Sequence, residues 1–428
     1  MSNLDFVILI STLLFISLYG VYKNYQHSSL KSYFLGDNKI KWGTIGLSVM
    51  ATQATAITFL STPGQGFASG MSFIQNYLGL PIALIVICIF FIPIYFRSKI
   101  TTAYEYLEER FDLKVRILTS FLFLMQRGFQ CGLTIYAPSI ILVTILDWNL
   151  SITIVSVGLL VITYTVFGGS KAVSYTQKQQ MGIILLGMIM VFYFLLSNLT
   201  QFASFNDSMK IAGIFEKTNA INFSFDLNER YTIWSGLFGG FFLALSYFGT
   251  DQSQVLRYIN GKNVNESRMG LIFNAILKIP MQFFILLLGV LLFVFYQFNM
   301  PPIHFNKSLI QSYSSSNKTE ITDYEINQKV LFENRKTLLS EYLINHDTKM
   351  RKMLEVEIKK VNELMENQKN ELEKKIKNSG FEIKNPESDY VFISFILEYI
   401  PQGLIGFLIA VIFSAAMSST SAEITALS

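Results

Sequence analysis

Charge is scarce in this chain. Asp, Glu, Lys and Arg make up 15% of its 428 residues, against roughly 25% in ordinary soluble domains. The deficit is concentrated in nine apolar stretches, at about 4–23, 43–62, 76–96, 117–146, 150–167, 182–200, 231–249, 269–297 and 391–418. A helix needs about 20 mostly apolar residues to cross a bilayer, so each stretch is read as one span. Cysteine is nearly absent as well. Cys88 and Cys131 both fall inside apolar stretches, which argues against a disulfide framework and a thiolate metal site. Histidine is limited to His27, His304 and His346, all in loops and without a Cys/His cluster or paired carboxylates beside them. An enzyme has little to work with here. No basic segment precedes the first stretch, which opens "MSNLD", and no small-residue cleavage site follows it. It reads as a helix rather than a cleavable signal peptide. What the chain does hold is apolar: 51% hydrophobic residues, 38 Phe and a mean hydropathy of +0.40. These properties describe an all-α polytopic membrane protein.

The remaining charge predicts the topology. Numbered alternately from the N-terminus, the loops on one side (24–42 with Lys23, 97–116, 168–181 and 250–268) hold 14 Lys and Arg, and the short loops opposite hold three. Positive charge marks the cytoplasmic side. The N-terminus is therefore expected outside, in a protein of the plasma membrane. Residues 301–390 form one long extracytoplasmic insertion with 15 basic and 15 acidic residues, a balance that offers no field to nucleic acid. Within it, Leu354, Ile358, Val361, Met365, Leu372 and Ile376 recur at helical spacing among charges. That pattern predicts a helical hairpin packed on itself or on the bundle, with a partner-binding arm as the alternative.

Polar residues inside the spans are costly and point to function. Four ionisable ones occur: Arg127, Asp251, Lys278 and Glu423. The second span, "GLSVMATQATAITFLSTPGQGF", is crowded with Ser and Thr and ends in Pro63, Gly64 and Gly66. It fits a discontinuous helix whose freed carbonyls line a cavity. The seventh, "GLFGGFFLALSYFGTDQ", repeats the idea five spans later. At the far end, "FSAAMSSTSAEITALS" sets Ser418 beside Ser419, with Ala415 and Ala416 keeping the helix slim. Such hydroxyls, joined by carbonyls of an unwound helix, make an oxygen shell suited to a small hard cation.

Four segments carry a resemblance to the sodium:solute symporter family, in the family's order. "SYFLGDNKIKW" resembles its approach to the first core helix, and "VFGGSKAVSYTQKQQ" its loop entering the fifth. "SYFGTDQSQVLRYINGKN" resembles its sixth core helix, and "AAMSSTSAE" its eighth, where paired serines bind sodium. The resemblance implies an inverted-repeat five-plus-five (LeuT-like) fold with one extra N-terminal helix. It implies a sodium site formed by the carbonyls of Ala51, Ala54 and Ala415 with the hydroxyls of Ser418 and Ser419. The protein would then be a sodium-coupled symporter importing a small organic solute by alternating access, with Na+ and the lipid bilayer as its partners. The domains would be a leading helix and cytoplasmic loop (1–42), a first five-helix repeat (43–200), a loop (201–230), the start of the second repeat (231–300), the insertion (301–390) and the eighth core helix (391–428). A ninth and tenth core helix would complete that fold, so the second repeat is expected to be incomplete here and the chain to be part of a longer carrier.

The sequence departs from the family pattern at points that bear on the solute. Gln177 follows Thr176 where relatives commonly have Asp, which puts a second cation interaction in doubt. Thr58 and Tyr77 stand where the family's sugar carriers use Gln and Glu, which disfavours a hexose. "STPGQGF" and "TIYAPSIIL" resemble the branch that carries monocarboxylates, vitamins and iodide. Arg127 or Lys278 would then meet an anionic solute, with Thr58, Tyr77, Tyr247 and Asp251 as the other candidate contacts. The alternative is a non-transporting sensor or assembly platform that works through the insertion.

Overall fold

A computed structural model describes residues 1–24, 40–146, 148–226, 228–315, 317–381, 383 and 386–428. Most of the "SYFLGDNKIKW" segment lies outside them. The described chain is helical almost throughout; its only bridge pairs Ile40 with Gly261.

The first apolar stretch is α1 (Asn3–Asn24). The second forms two helices, α2 (Trp42–Gln53) and α3 (Ala56–Ser69), parted at Ala54 and Thr55, whose ψ angles of 74° and 163° are non-helical. The discontinuity expected in this span thus falls ahead of its Pro63–Gly66 end. Thr55 decides the position: its hydroxyl accepts the Thr58 N–H at 3.2 Å and so caps α3. Pro63 lies within α3. Gly66 serves close packing instead, since a Cβ there would stand 2.4 Å from the Leu286 carbonyl oxygen of the neighbouring helix.

A 3₁₀ segment (Gly70–Tyr77) leads into α4 (Leu80–Val86), a π turn (Ile87–Phe91) and α5 (Ile92–Ser98). Then come α6 (Ala103–Arg110), α7 (Leu113–Leu146) and α8 (Leu150–Leu199). The loop expected at 168–181 is helical instead, and α8 joins two predicted spans. They are separated by a kink at Gly169, whose φ of 61° and ψ of −173° suit a residue without a Cβ. After α9 (Phe205–Ile214), a π turn (Ser235–Gly239) continues as α10 (Gly240–Thr250). Asp251 is extended there, and α11 (Gln252–Ile259) follows. The 231–249 stretch itself runs on without a gap from the π turn, and the break falls just past it, at Asp251 rather than among its glycines.

α12 (Val264–Phe298) precedes the insertion, which folds as α13 (Lys307–Ser314), α14 (Lys318–Ile344) and α15 (Thr348–Asn378). All six residues of the predicted stripe are buried on α15. The hairpin packs against the bundle: Leu339, Tyr342, Leu354 and Ile358 share one apolar cluster with α12. The last stretch, expected as a single run, is two helices, α16 (Ser388–Tyr399) and α17 (Leu404–Leu427). Pro401 and Gly403, with φ of 88°, separate them.

Among the described residues, four segments are long and apolar enough to cross a membrane: Ala56–Ser98, Gly169–Leu199, Val264–Phe298 and Leu404–Leu427. Shorter apolar helices occupy Asn3–Tyr19, Leu150–Val166 and Ser235–Thr250. Phe129 on α7 and Leu243 on α10 are each 73% exposed, as a lipid-facing surface would have them. α17 is the opposite, buried nearly all round by α8, α1, α7 and α3. Its first turn is held from outside: the Asp5 carboxylate of α1 accepts the N–H groups of Gly403 (2.6 Å) and Gly406 (3.1 Å).

Candidate functional site

The break between α2 and α3 removes helical partners from the carbonyls just before it, and α17 packs beside α2 and α3. Ser418 Oγ donates to the Ala51 carbonyl at 3.0 Å. Ser419 Oγ donates to the carbonyls of Ala415 (3.2 Å) and Ala416 (3.1 Å). Of the five expected sodium ligands, Ser418 and Ala51 thus meet between helices, Ser419 and Ala415 are joined within α17, and Ala54 stands at the break itself; all five are buried. The donor set is oxygen only and carries no formal charge. Each hydroxyl that now donates to a carbonyl can turn its lone pairs toward a cation, leaving that carbonyl free to coordinate as well.

Sequence reasoning noted Gln177 only as a departure, yet its amide ties three helices together. From α8, Nε2 donates to Thr52 Oγ1 (3.1 Å) and to the Ser418 carbonyl (2.9 Å), while Oε1 accepts from Ser48 Oγ. Tyr164, which no motif singled out, donates to the Met417 carbonyl at 2.8 Å. A buried polar group opposite a serine-rich helix was the available signal for both, but hydropathy does not say which helices face each other.

The ionisable residues gather in a second place. Arg127 of α7 is 3% exposed. Its Nε donates to Asp251 Oδ2 at 2.8 Å, an Nη bonds the same oxygen, and its other Nη meets Glu423 Oε1 of α17 at 3.3 Å. Thr134 Oγ1 adds a 3.4 Å contact to Glu423. Asp251 also caps α11, accepting the Ser253 N–H at 2.9 Å. The Arg127 guanidinium stands 5.5 Å from the ring centre of Tyr247, whose hydroxyl accepts from Gln254 at 2.8 Å. Arg127, Tyr247 and Asp251 line a cavity of about 730 Å³. One guanidinium facing two carboxylates leaves this cluster with a formal charge of −1.

Lys278 of α12 lies apart from it. Its ammonium, 2% exposed with its residue, stands 5.6 Å from the centre of the Tyr77 ring, and no ion pair of Lys278 occurs among the described residues. Thr58 belongs to neither group; it sits in the first turn of α3, with its hydroxyl 3.2 Å from that of Thr55. The expected solute contacts thus fall into three groups: Thr58 at the helix break, Tyr77 with Lys278, and Tyr247 with Arg127 and Asp251.

Known proteins share this architecture. Residues 33–322 match the sodium:solute symporter family. Sodium-coupled monocarboxylate transporter 2 of Mus musculus is 28% identical over 275 residues, which are 64% of this chain and 44% of that protein. The sodium/iodide cotransporter of Homo sapiens is 28% identical over 268 residues, 63% of this chain and 41% of the cotransporter. The sodium/sialic acid symporter NanT of Aliivibrio fischeri is 29% identical over 313 residues, 71% of this chain and 60% of that symporter. The chain thus spans less than half the length of the first two. A solved Na+-coupled sialic acid symporter in a substrate-bound, outward-open state superposes with a TM-score of 0.73 and 24% identity, over 100% of this chain and 73% of that one.

Proposed function

Since the chain belongs to the sodium:solute symporter family, a family of transporters rather than enzymes, and is a multi-pass membrane protein, we propose that it couples sodium influx to the import of a small organic solute. The observation that carries this reading is Ser418 Oγ 3.0 Å from the Ala51 carbonyl, on the seam between the broken helix and α17. Sodium held by Ala51, Ala54, Ala415, Ser418 and Ser419 bridges α2 and α17, so occupancy decides how firmly the two helices are joined. Alternating access follows when the solute binds to that joined state and the bundle rocks as a unit. Inward movement of one sodium across a 100 mV potential supplies about 2.3 kcal/mol.

The solute is an organic anion in this reading. Arg127 is already committed to Asp251 and Glu423, whereas Lys278, beside the Tyr77 ring, has no ion pair among the described residues and is open to a carboxylate; the fully buried Arg257 is likewise without an ion pair among them. The relatives are named for monocarboxylate, iodide and sialic acid, all anions at neutral pH, which supports the same choice. The loop charges given above support a membrane orientation with the N-terminus and the insertion outside.

Thermal stability in NaCl against matched KCl tests the sodium site, since an ion that binds only the folded state raises its stability by mass action. We expect sodium-selective stabilisation that disappears in the Ser418→Ala/Ser419→Ala double variant. Sodium-selective stabilisation of equal size in that variant would sink the assignment.

A further inference from the structure

A second cavity, of about 670 Å³, lies between the insertion and the bundle, away from the proposed sodium and solute contacts. Its aromatic side comes from the bundle. Phe67 of α3 stands edge-on to Phe293 and Tyr296 of α12, at 5.7 and 6.2 Å between ring centres. Its opposite side is α14, which contributes Phe332 and Arg335. Arg335 is 4% exposed. One Nη donates to Asn362 Oδ1 at 2.8 Å and the other reaches the Tyr296 carbonyl at 3.4 Å, while Nε has no partner among the described residues. Its neighbour Glu366 bonds Asn362 at 3.0 Å instead of pairing with it. Burial pushes the Arg335 pKa down to about 10, so it remains cationic at neutral pH. Of the other lining cations, Lys369 is already paired with Glu387.

Arg335 has no ion pair among the described residues and shares the lining with five aromatic rings as well as with Glu325, Lys329 and Glu366; an unpaired guanidinium beside aromatic rings is suited to a ligand with one anionic end and an apolar body. We propose that this cavity binds a small amphiphilic carboxylate, its charged end on Arg335 and its apolar part against Phe67, Phe293 and Phe332. The cavity then serves as an antechamber that collects solute beside α3 before transport, a role that rests on the solute being an organic anion. The guanidinium fork matches a carboxylate through two parallel bonds. Inorganic phosphate has the charge but no apolar body to fill the space.

The test is thermal stabilisation of the whole chain in potassium salts without sodium, which keeps it independent of the sodium site. Potassium benzoate is the probe, benzamide its uncharged counterpart, and potassium phosphate the purely ionic control. We expect a saturable rise in Tm with benzoate alone, reduced in Arg335→Lys and lost in Arg335→Gln. Equal shifts with benzamide, equal shifts with phosphate (an adventitious anion only), or an undiminished benzoate shift in Arg335→Gln would each overturn the proposal. Should Arg335→Gln fail to fold, Met300→Trp places a fluorophore on an exposed part of the same wall. Its emission should respond saturably to benzoate and not to benzamide, and silence to both would count against the site. A sodium effect without benzoate binding removes the antechamber and leaves the symport reading standing; benzoate binding without a sodium effect leaves the carboxylate site but removes the symport reading and the antechamber role with it.

Discussion

Arg127 shows most directly what a single buried side chain decides. It is the counter-charge for Asp251 and Glu423, which lie 124 and 296 residues away. Removing one partner of a buried ion pair leaves an uncompensated charge and typically costs about 3–5 kcal/mol. Arg127→Gln is therefore expected to destabilise the protein by about that much in chemical denaturation, and Arg127→Gln/Glu423→Gln by less. A loss no larger than that of a surface substitution would show that the cluster does not carry its charges as drawn. His304, in the insertion, gives a pH dependence. Burial is the first cause holding its imidazole below the usual 6.5, opposed by the charge of Glu387. The folded chain then binds fewer protons than the unfolded one between the two pKa values, so stability rises with pH across that window. The contribution is complete above about pH 6.5 and is lost as pH falls through the folded pKa. Melting measured between pH 5 and 7.5 should show this slope, and His304→Gln should flatten it.

Among the elements, α17 carries the serines, and α1 fixes where it begins. Asp5 accepts the N–H groups of Gly403 and Gly406, which no residue inside the helix can satisfy. Losing such a cap costs about 0.5–2 kcal/mol. Asp5→Ala should lower stability by that amount and weaken the apparent sodium affinity with it, while Asp5→Asn, a cap of equal rank, should retain most of both. Sodium titrations of melting temperature on the two variants check this, and an unchanged sodium midpoint in Asp5→Ala would separate the cap from the site. The boundaries of elements were only partly legible. The stripe from Leu354 to Ile376 announced its helix because water on one side makes amphipathic spacing visible. The α16–α17 break and the helical 168–181 segment were not visible in hydropathy, because helix and loop at a membrane boundary differ little in apolar content. Pro401 and Gly403 were the local signal for the first of these, and they lay inside a run read for length alone.

For the whole molecule, the two broken helices, α2–α3 and α10–α11, are brought together by their packing on α12 and α17. The insertion adds its own apolar face to the same cluster rather than standing apart as an independent arm. That packing favours a transporter with a built-on outer element over a platform that works through a free surface. The chain spans less than half of its monocarboxylate and iodide relatives.

The sequence by itself determined the membrane class, the broken second span, the hydroxyl pair at Ser418 and Ser419, and the family motifs, because each is a local property of composition or of neighbouring residues. It did not determine who meets whom. Ser418 and Ala51 are 367 residues apart, and Gln177 reaches α17 across 241. Inside a membrane both the lipid-facing and the packed sides of a helix are apolar, so hydropathy loses the direction in which a side chain points. Only the tertiary structure could spend Arg127 on two carboxylates, leave Lys278 against Tyr77, and set Gln177 between the helices that form the sodium seam.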